Sequence, residues 1–143
     1  MNKRGVTLVE LIIVFVIIGF LATLMVPGFG AWLPRYRLRS ATRDIVSTLR
    51  SAQMRAVSES KPYTVSFNTA DTGIASNTGY AYAGAVRTLP TGITIVSNTL
   101  IGLKAEFDSD CTCPSAGSIT LENTKGGQNK ITILSSTGRV TIE

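Results

Sequence analysis

The chain has 143 residues, 44% hydrophobic and 16% charged, with 14 Lys+Arg against 9 Asp+Glu, a net charge of +5 and no histidine. That length allows one domain of ordinary size, and its apolar content excludes disorder for most of the chain. The missing histidine removes the commonest general base and the commonest zinc ligand, which counts against hydrolases and metalloenzymes.

Met1 to Gly5 is short and basic, carrying Lys3 and Arg4. From Val6 to Val26 only Thr7, Glu10, Gly19 and Thr23 interrupt large apolar residues and Ala22. As a helix, those 21 residues span about 31 Å, close to the thickness of a bilayer's hydrocarbon layer. A cleaved secretory signal fits less well, because signal cores run to about 7–15 residues and end in a small-x-small site that is absent here. A buried core helix this uniformly apolar rarely sits so near a terminus. The run therefore reads as a retained membrane span. Glu10 is its anomaly: a carboxylate in such a helix costs about 2.5–3.5 kcal/mol and is normally paired or functional. No basic residue lies at helical spacing within the apolar run to pair with it.

Lys3-Arg4-Gly5-Val6-Thr7-Leu8-Val9-Glu10 resembles the prepilin processing signal of type IV pilins and type II secretion pseudopilins. The resemblance implies cleavage after Gly5 by a prepilin peptidase and N-methylation of the new terminus at Val6, a position where Phe is usual. It implies a partner for Glu10, the N-terminal amine of a neighbouring subunit, and opposite charges attract strongly in a low-dielectric layer. It also places the chain in the bacterial inner membrane as a single-pass protein, N-terminus cytoplasmic and head periplasmic, and later in a pilus or pseudopilus. Its partners there are other pilins or pseudopilins, the assembly platform and membrane lipid. The positive-inside rule points the other way, since two basic residues precede the span and four follow it by Arg43. The processing motif is the more specific signal and takes precedence.

Pro27 predicts a helix kink, because proline removes a hydrogen bond and clashes with the preceding turn. Gly28, Gly30 and Pro34 weaken the helix further, and Pro34 suggests a second bend or a short break near residues 30–34. Leu38, Ala41, Ile45, Leu49, Ala52 and Ala56 then recur at three- and four-residue spacing, the pattern of an amphipathic helix facing a sheet. The basicity is concentrated here. Residues 31–61 hold seven basic and two acidic residues, whereas residues 62–143 hold five and six. These arginines read as a solvated face with aliphatic stems over apolar surface, or as a contact surface for subunits, acidic lipid or nucleic acid. The helix pattern resembles the GspH/FimT branch of pseudopilins.

After Lys61-Pro62, short β-branched runs predict strands at Tyr63–Asn68, Gly79–Ala85, Gly92–Val96, Leu103–Phe107, Ser118–Leu121, Lys130–Leu134 and Arg139–Ile142. Turn signals at Lys125–Asn129 and Ser136–Gly138 make the last three a meander. The expected fold is α+β: a long N-terminal helix packed on a C-terminal antiparallel β-sheet head, as in pilins. The expected divisions are a leader (1–5), a transmembrane assembly helix (6–27), an amphipathic helix half (28–61) and a β-rich periplasmic head (62–143). Ile131–Val140 also resembles the C-terminal strands of GspH/FimT proteins. Residues 71–117 contain no recognisable motif.

Cys111 and Cys113 are too few for a structural zinc site and lack redox spacing. A disulfide across one residue needs unusual geometry, yet in an oxidising compartment it is favoured over two free thiols. Glu106, Asp108 and Asp110 suggest calcium less strongly than a strand end with solvated acids. Gly138-Arg139-Val140-Thr141 matches half of a Gly-Arg-x-Arg motif tied to DNA uptake in some pilus proteins of this branch, with Thr141 in place of the second arginine. Arg139 reads more readily as a turn or edge-strand residue that discourages sheet pairing. The expectation is a non-enzymatic minor pseudopilin without cofactor or metal. DNA binding through Arg139 is the alternative, and a major filament subunit a further one.

Overall fold

A computed structural model describes residues 6–73 and 75–143; the side chains of residues 24–29 and 31 are outside that description. Gly5 and the side chain of Pro27 therefore lie outside the described residues, and with them the cleavage and kink expectations. The chain divides into two compact units, Met1–Leu33 and Pro34–Glu143.

Helix α1 runs from Leu8 to Glu59. Residues 30–34 are helical, so the short break expected at Pro34 is not formed; proline's fixed φ is itself a helical value. In the first unit, thirteen large apolar side chains between Val6 and Leu21 are all exposed, from 49% to 74%. A helix that is apolar all round belongs in a core or a membrane, not in water. No helix of the described residues is long and apolar enough to cross a membrane. The described side chains of the run end at Thr23, and residues 8–23 make only about 24 Å of helix.

In the second unit, α1 buries the six-residue stripe read from its periodicity, Leu38 to Ala56, together with Val46, Thr42 and Thr48. The three alanines let strands approach its axis closely. The helix closes on a Schellman motif: Ser60 takes the left-handed position at φ 51, and the Lys61 amide donates to the Ala56 carbonyl at 3.2 Å.

Among the described residues, eight strands form two antiparallel four-stranded sheets. The first contains β1 (Tyr63–Ser66), β2 (Gly79–Tyr82), β3 (Ala85–Thr88) and β5 (Lys104–Phe107), in the order β3-β2-β1-β5. The second contains β4 (Ile93–Asn98), β6 (Gly117–Asn123), β7 (Gln128–Ile133) and β8 (Val140–Ile142), in the order β4-β6-β7-β8. A four-residue helix, α2 (Thr69–Thr72), follows β1. The expected single strand Gly79–Ala85 is instead a hairpin of β2 and β3. Ala83 and Gly84 sit between them at φ 51 and 78, the positive values a tight two-residue hairpin turn requires. The β6-β7-β8 meander forms as expected.

The core is one cluster. Val65, Phe67, Tyr80, Ala105 and Phe107 from the first sheet and its flanks meet Ile119, Leu121, Ile131 and Val140 from the second, with the α1 stripe among them. Polar bonds tie α1 to the second sheet and to the loop that leads into it. Thr42 Oγ1 accepts from Asn129 Nδ2 at 3.0 Å on β7, and Arg37 Nη1 donates to the Thr91 carbonyl at 3.1 Å.

Candidate functional site

The N-terminal residues are placed by an N-cap. Thr7 Oγ1 accepts the Glu10 amide at 3.3 Å, and the Thr7 carbonyl accepts the Leu11 amide at 3.2 Å. Thr-x-x-Glu ahead of an apolar run is the capping-box pattern, a signal the reading of Glu10 as an isolated anomaly missed. The Glu10 carboxylate lies in the first turn of α1, where the helix dipole favours a negative charge. Both Val6 and Glu10 are exposed. Among the described residues no basic group lies within ion-pair distance of Glu10, so its chemistry is that of a carboxylate open to a cation from outside.

In the second unit the structure gathers Arg139, the loop after β5 and the middle of α1. Gly138 is buried at φ 58. A Cβ there would lie 2.6 Å from the Cys111 carbonyl oxygen and 2.8 Å from Gln53 Nε2. Gln53 Nε2 also donates to the Thr137 carbonyl at 3.0 Å. This convergence turns the chain into β8 and leaves Arg139 exposed. Arg139 lines one cavity of about 610 Å³ with Arg50 and Met54 of α1. Arg39 and Arg43, one helical turn apart, line a neighbouring cavity with Asn129 and Ile142. The sequence shows the shared face of Arg39 and Arg43; Arg139 joins them only through the long-range placement of β8.

Cys111 and Cys113 are free thiols, so the disulfide expected between them is not formed. Cys111 holds a left-handed backbone at φ 68 and is half-buried, whereas Cys113 turns fully into the core. Burial pushes the Cys113 thiol up, while hydrogen bonding from Ser115 pulls it back. The adjoining acids serve the loop. Asp110 Oδ1 accepts from Thr112 Oγ1 at 2.7 Å and from the Thr112 amide at 3.0 Å. Those two bonds hold the Asp110 carboxyl below its ordinary value. Glu106 is exposed on β5, and its amide donates to Ser115 Oγ at 2.7 Å. Among the described residues, no three potential ligands gather to hold a metal ion.

Residues 1–26 match the family model of the prokaryotic N-terminal methylation motif. No curated protein matches the chain. Two crystal structures of the type IV minor pilin FimU from Pseudomonas aeruginosa (strain PAO1) are similar to it. One has a TM-score of 0.54 at 18% identity and covers 74% of this chain and 92% of that one. The other has a TM-score of 0.55 at 18% identity, with coverage of 76% and 90%. At that identity the likeness shows the fold: a long N-terminal helix packed on a C-terminal antiparallel β-sheet head, as in the minor pilin.

Proposed function

We propose that this chain is a minor pilin-like structural subunit of the GspH/FimT branch, built into a type II secretion pseudopilus or a type IV pilus. The observation that carries the reading is a methylation motif over residues 1–26 that takes in the start of α1, where the large apolar side chains from Leu8 to Leu21 are all exposed. A helix of that kind needs lipid or neighbouring helices around it. The pilin-like head supports the same reading.

In this reading a prepilin peptidase cuts after Gly5 and the amine of Val6 is methylated. The apolar helix holds the chain in the inner membrane with its head in the periplasm, until the assembly platform moves it into a filament. Glu10 then takes the N-terminal amine of a neighbouring subunit. The pair selects register as well as affinity, because a misplaced subunit leaves a carboxylate unpaired in a dry layer. The role is structural, not catalytic. Mass spectrometry of the mature protein tests it. A methylated N-terminus at Val6 is expected; an intact Met1, or a cut near residue 26 when the peptidase is present, refutes it.

A further inference from the structure

We propose that the groove between α1 and the free edge of β8 binds an extended acidic polypeptide segment, which adds to the sheet as a strand beside β8. This goes beyond assembly through the N-terminal helix, since it assigns a partner surface to the head and stands or falls without that reading.

The first observation is an open sheet edge. β8 pairs with β7 on one side only. Arg139 and Glu143 turn their backbone groups to that partner: the Leu134 amide donates to the Arg139 carbonyl at 3.1 Å, and Glu143 and Lys130 exchange bonds of 2.8 and 3.0 Å. Antiparallel alternation then sends the amides and carbonyls of Val140 and Ile142 away from β7; Ile142 is the exposed one of the two, whereas Val140 is buried against the core. Among the described residues these groups have no backbone partner. Such an edge is a template for another strand.

The second observation is the charge beside that edge. The cavity of about 610 Å³ lies between β8 and the Arg50–Met54 stretch of α1. A second cavity of about 340 Å³ continues it past Arg43 and Val46, with Met54 and Ile142 shared. A third, of about 230 Å³, extends it to Arg39. Among the described residues, the ion pairs are Arg87–Asp44, Lys104–Asp71 and Lys130–Glu143. The guanidiniums of Arg39, Arg43, Arg50 and Arg139 therefore line one groove without a carboxylate. Its apolar patches are Met54, 65% exposed, and Ile142, 49% exposed.

Backbone groups along the edge, an apolar floor and unpaired guanidiniums together fit a polypeptide with carboxylates at alternate positions. In a strand, alternate side chains share one face about 6.6–6.8 Å apart, near the spacing of Arg39 and Arg43 on successive helical turns. A nucleic acid fits less well. Among the described residues no aromatic side chain lines the groove to stack a base, and a phosphate backbone leaves the outward carbonyls of β8 unmet. The same arginines disfavour pairing with basic edges, which makes the site selective as well as attractive.

The test uses the full chain in a neutral detergent and fluorescence anisotropy with a labelled Thr-Glu repeat peptide. Three further probes are a Thr-Gln repeat, the Thr-Glu peptide with alternate amides N-methylated, and a single-stranded oligonucleotide. The Ile142 amide points away from β7, so Ile142→Pro removes an outward donor while sparing the ladder. The acidic peptide is expected to bind in a salt-sensitive way. Arg50→Ala combined with Arg139→Ala, and separately Ile142→Pro, are each expected to weaken it roughly ten-fold or more. The Thr-Gln and N-methylated peptides are expected to lose at least as much, and that comparison leaves the protein unaltered. Absence of binding by the acidic peptide overturns the proposal, as does equal binding of its N-methylated form. Preferential, Ile142→Pro-insensitive binding of the oligonucleotide would reassign the groove to nucleic acid.

Discussion

The Tyr80 hydroxyl donates a 2.7 Å hydrogen bond to the Asp44 carboxylate, joining β2 to α1 across 36 residues of sequence. Thr48 Oγ1 lies 3.2 Å from the same hydroxyl, and Arg87 of β3 reaches Asp44 at 3.5 Å. The phenol is almost fully buried, at 1% exposure. Burial, reinforced by Asp44, pushes it up from 10.0 to about 12, although the Thr48 hydrogen bond acts the other way.

That shift predicts an alkaline weakness. Below the ordinary tyrosine value the phenol is protonated in both folded and unfolded chains, so the protonated bond is fully present. Above it the unfolded chain releases its proton and the folded one does not. Stability should therefore fall between about pH 10 and 12, by roughly 2 kcal/mol. Lysines also titrate there, so the measurement is a difference: thermal unfolding of the full chain in detergent against Tyr80→Phe. The variant should start about 1 kcal/mol less stable and lose less as pH rises. Parallel losses in the two proteins would dismiss the role of Tyr80.

Gly138 carries a second prediction. A Cβ there would stand 2.6 Å from a backbone oxygen, that of Cys111, and 3.3 Å from Phe107 Cδ1, at a φ of +58. Gly138→Ala should destabilise the head by about 2–4 kcal/mol. Gly84→Ala separates the causes: its φ is +78 but nothing lies within 4 Å, so it should cost only about 1 kcal/mol. Equal melting shifts for the two variants would show that contact at Gly138 adds nothing.

The two thiols should differ in reactivity. Cys113 is fully buried and its thiol is held above its ordinary value chiefly by burial, so little thiolate forms near neutrality. Cys111 is only half-buried. Brief alkylation of the native chain at pH 8 should label Cys111 first, with Cys113 labelled after unfolding. Peptide mass spectrometry reads the order; a peptide lighter by the two hydrogens of a Cys111–Cys113 disulfide would contradict the free thiols.

Local periodicity explains which parts of the fold were legible. The stripe from Leu38 to Ala56 repeats with the period of a helix and is buried throughout. The last three strands were marked by Gly-rich turns and β-branched runs. The β2–β3 hairpin was not, because Ala83-Gly84 lacks the Asn-Gly or Asp-Gly signature, and its left-handed alanine is uncommon. Nor was the exchange of sheets in residues 71–117, where β4 joins β6 and β5 joins β1. Those pairings are long-range, and no spacing in the chain encodes them. At the site, the arginines of one helix face were visible, whereas the meeting of Arg50 and Arg139 depends on where β8 lands.

Glu10 offers the most direct test of the assembly proposal, because its two roles can be separated. Its amide is held by Thr7 and its carboxylate sits in the first turn of α1. Glutamine at the same position still suits a capping box, so Glu10→Gln should leave the start of the helix and its insertion intact. What it removes is the charge that would meet the amine of a neighbouring subunit. Truncating a desolvated charge pair typically costs about 2 kcal/mol or more, roughly thirty-fold in association. Membrane fractionation should therefore recover the variant at the wild-type level, while its share in sheared filaments falls steeply. Glu10→Asp keeps the charge on a shorter stem and should recover part of that share. Normal incorporation of Glu10→Gln would refute the pairing, even with insertion and N-terminal processing unchanged.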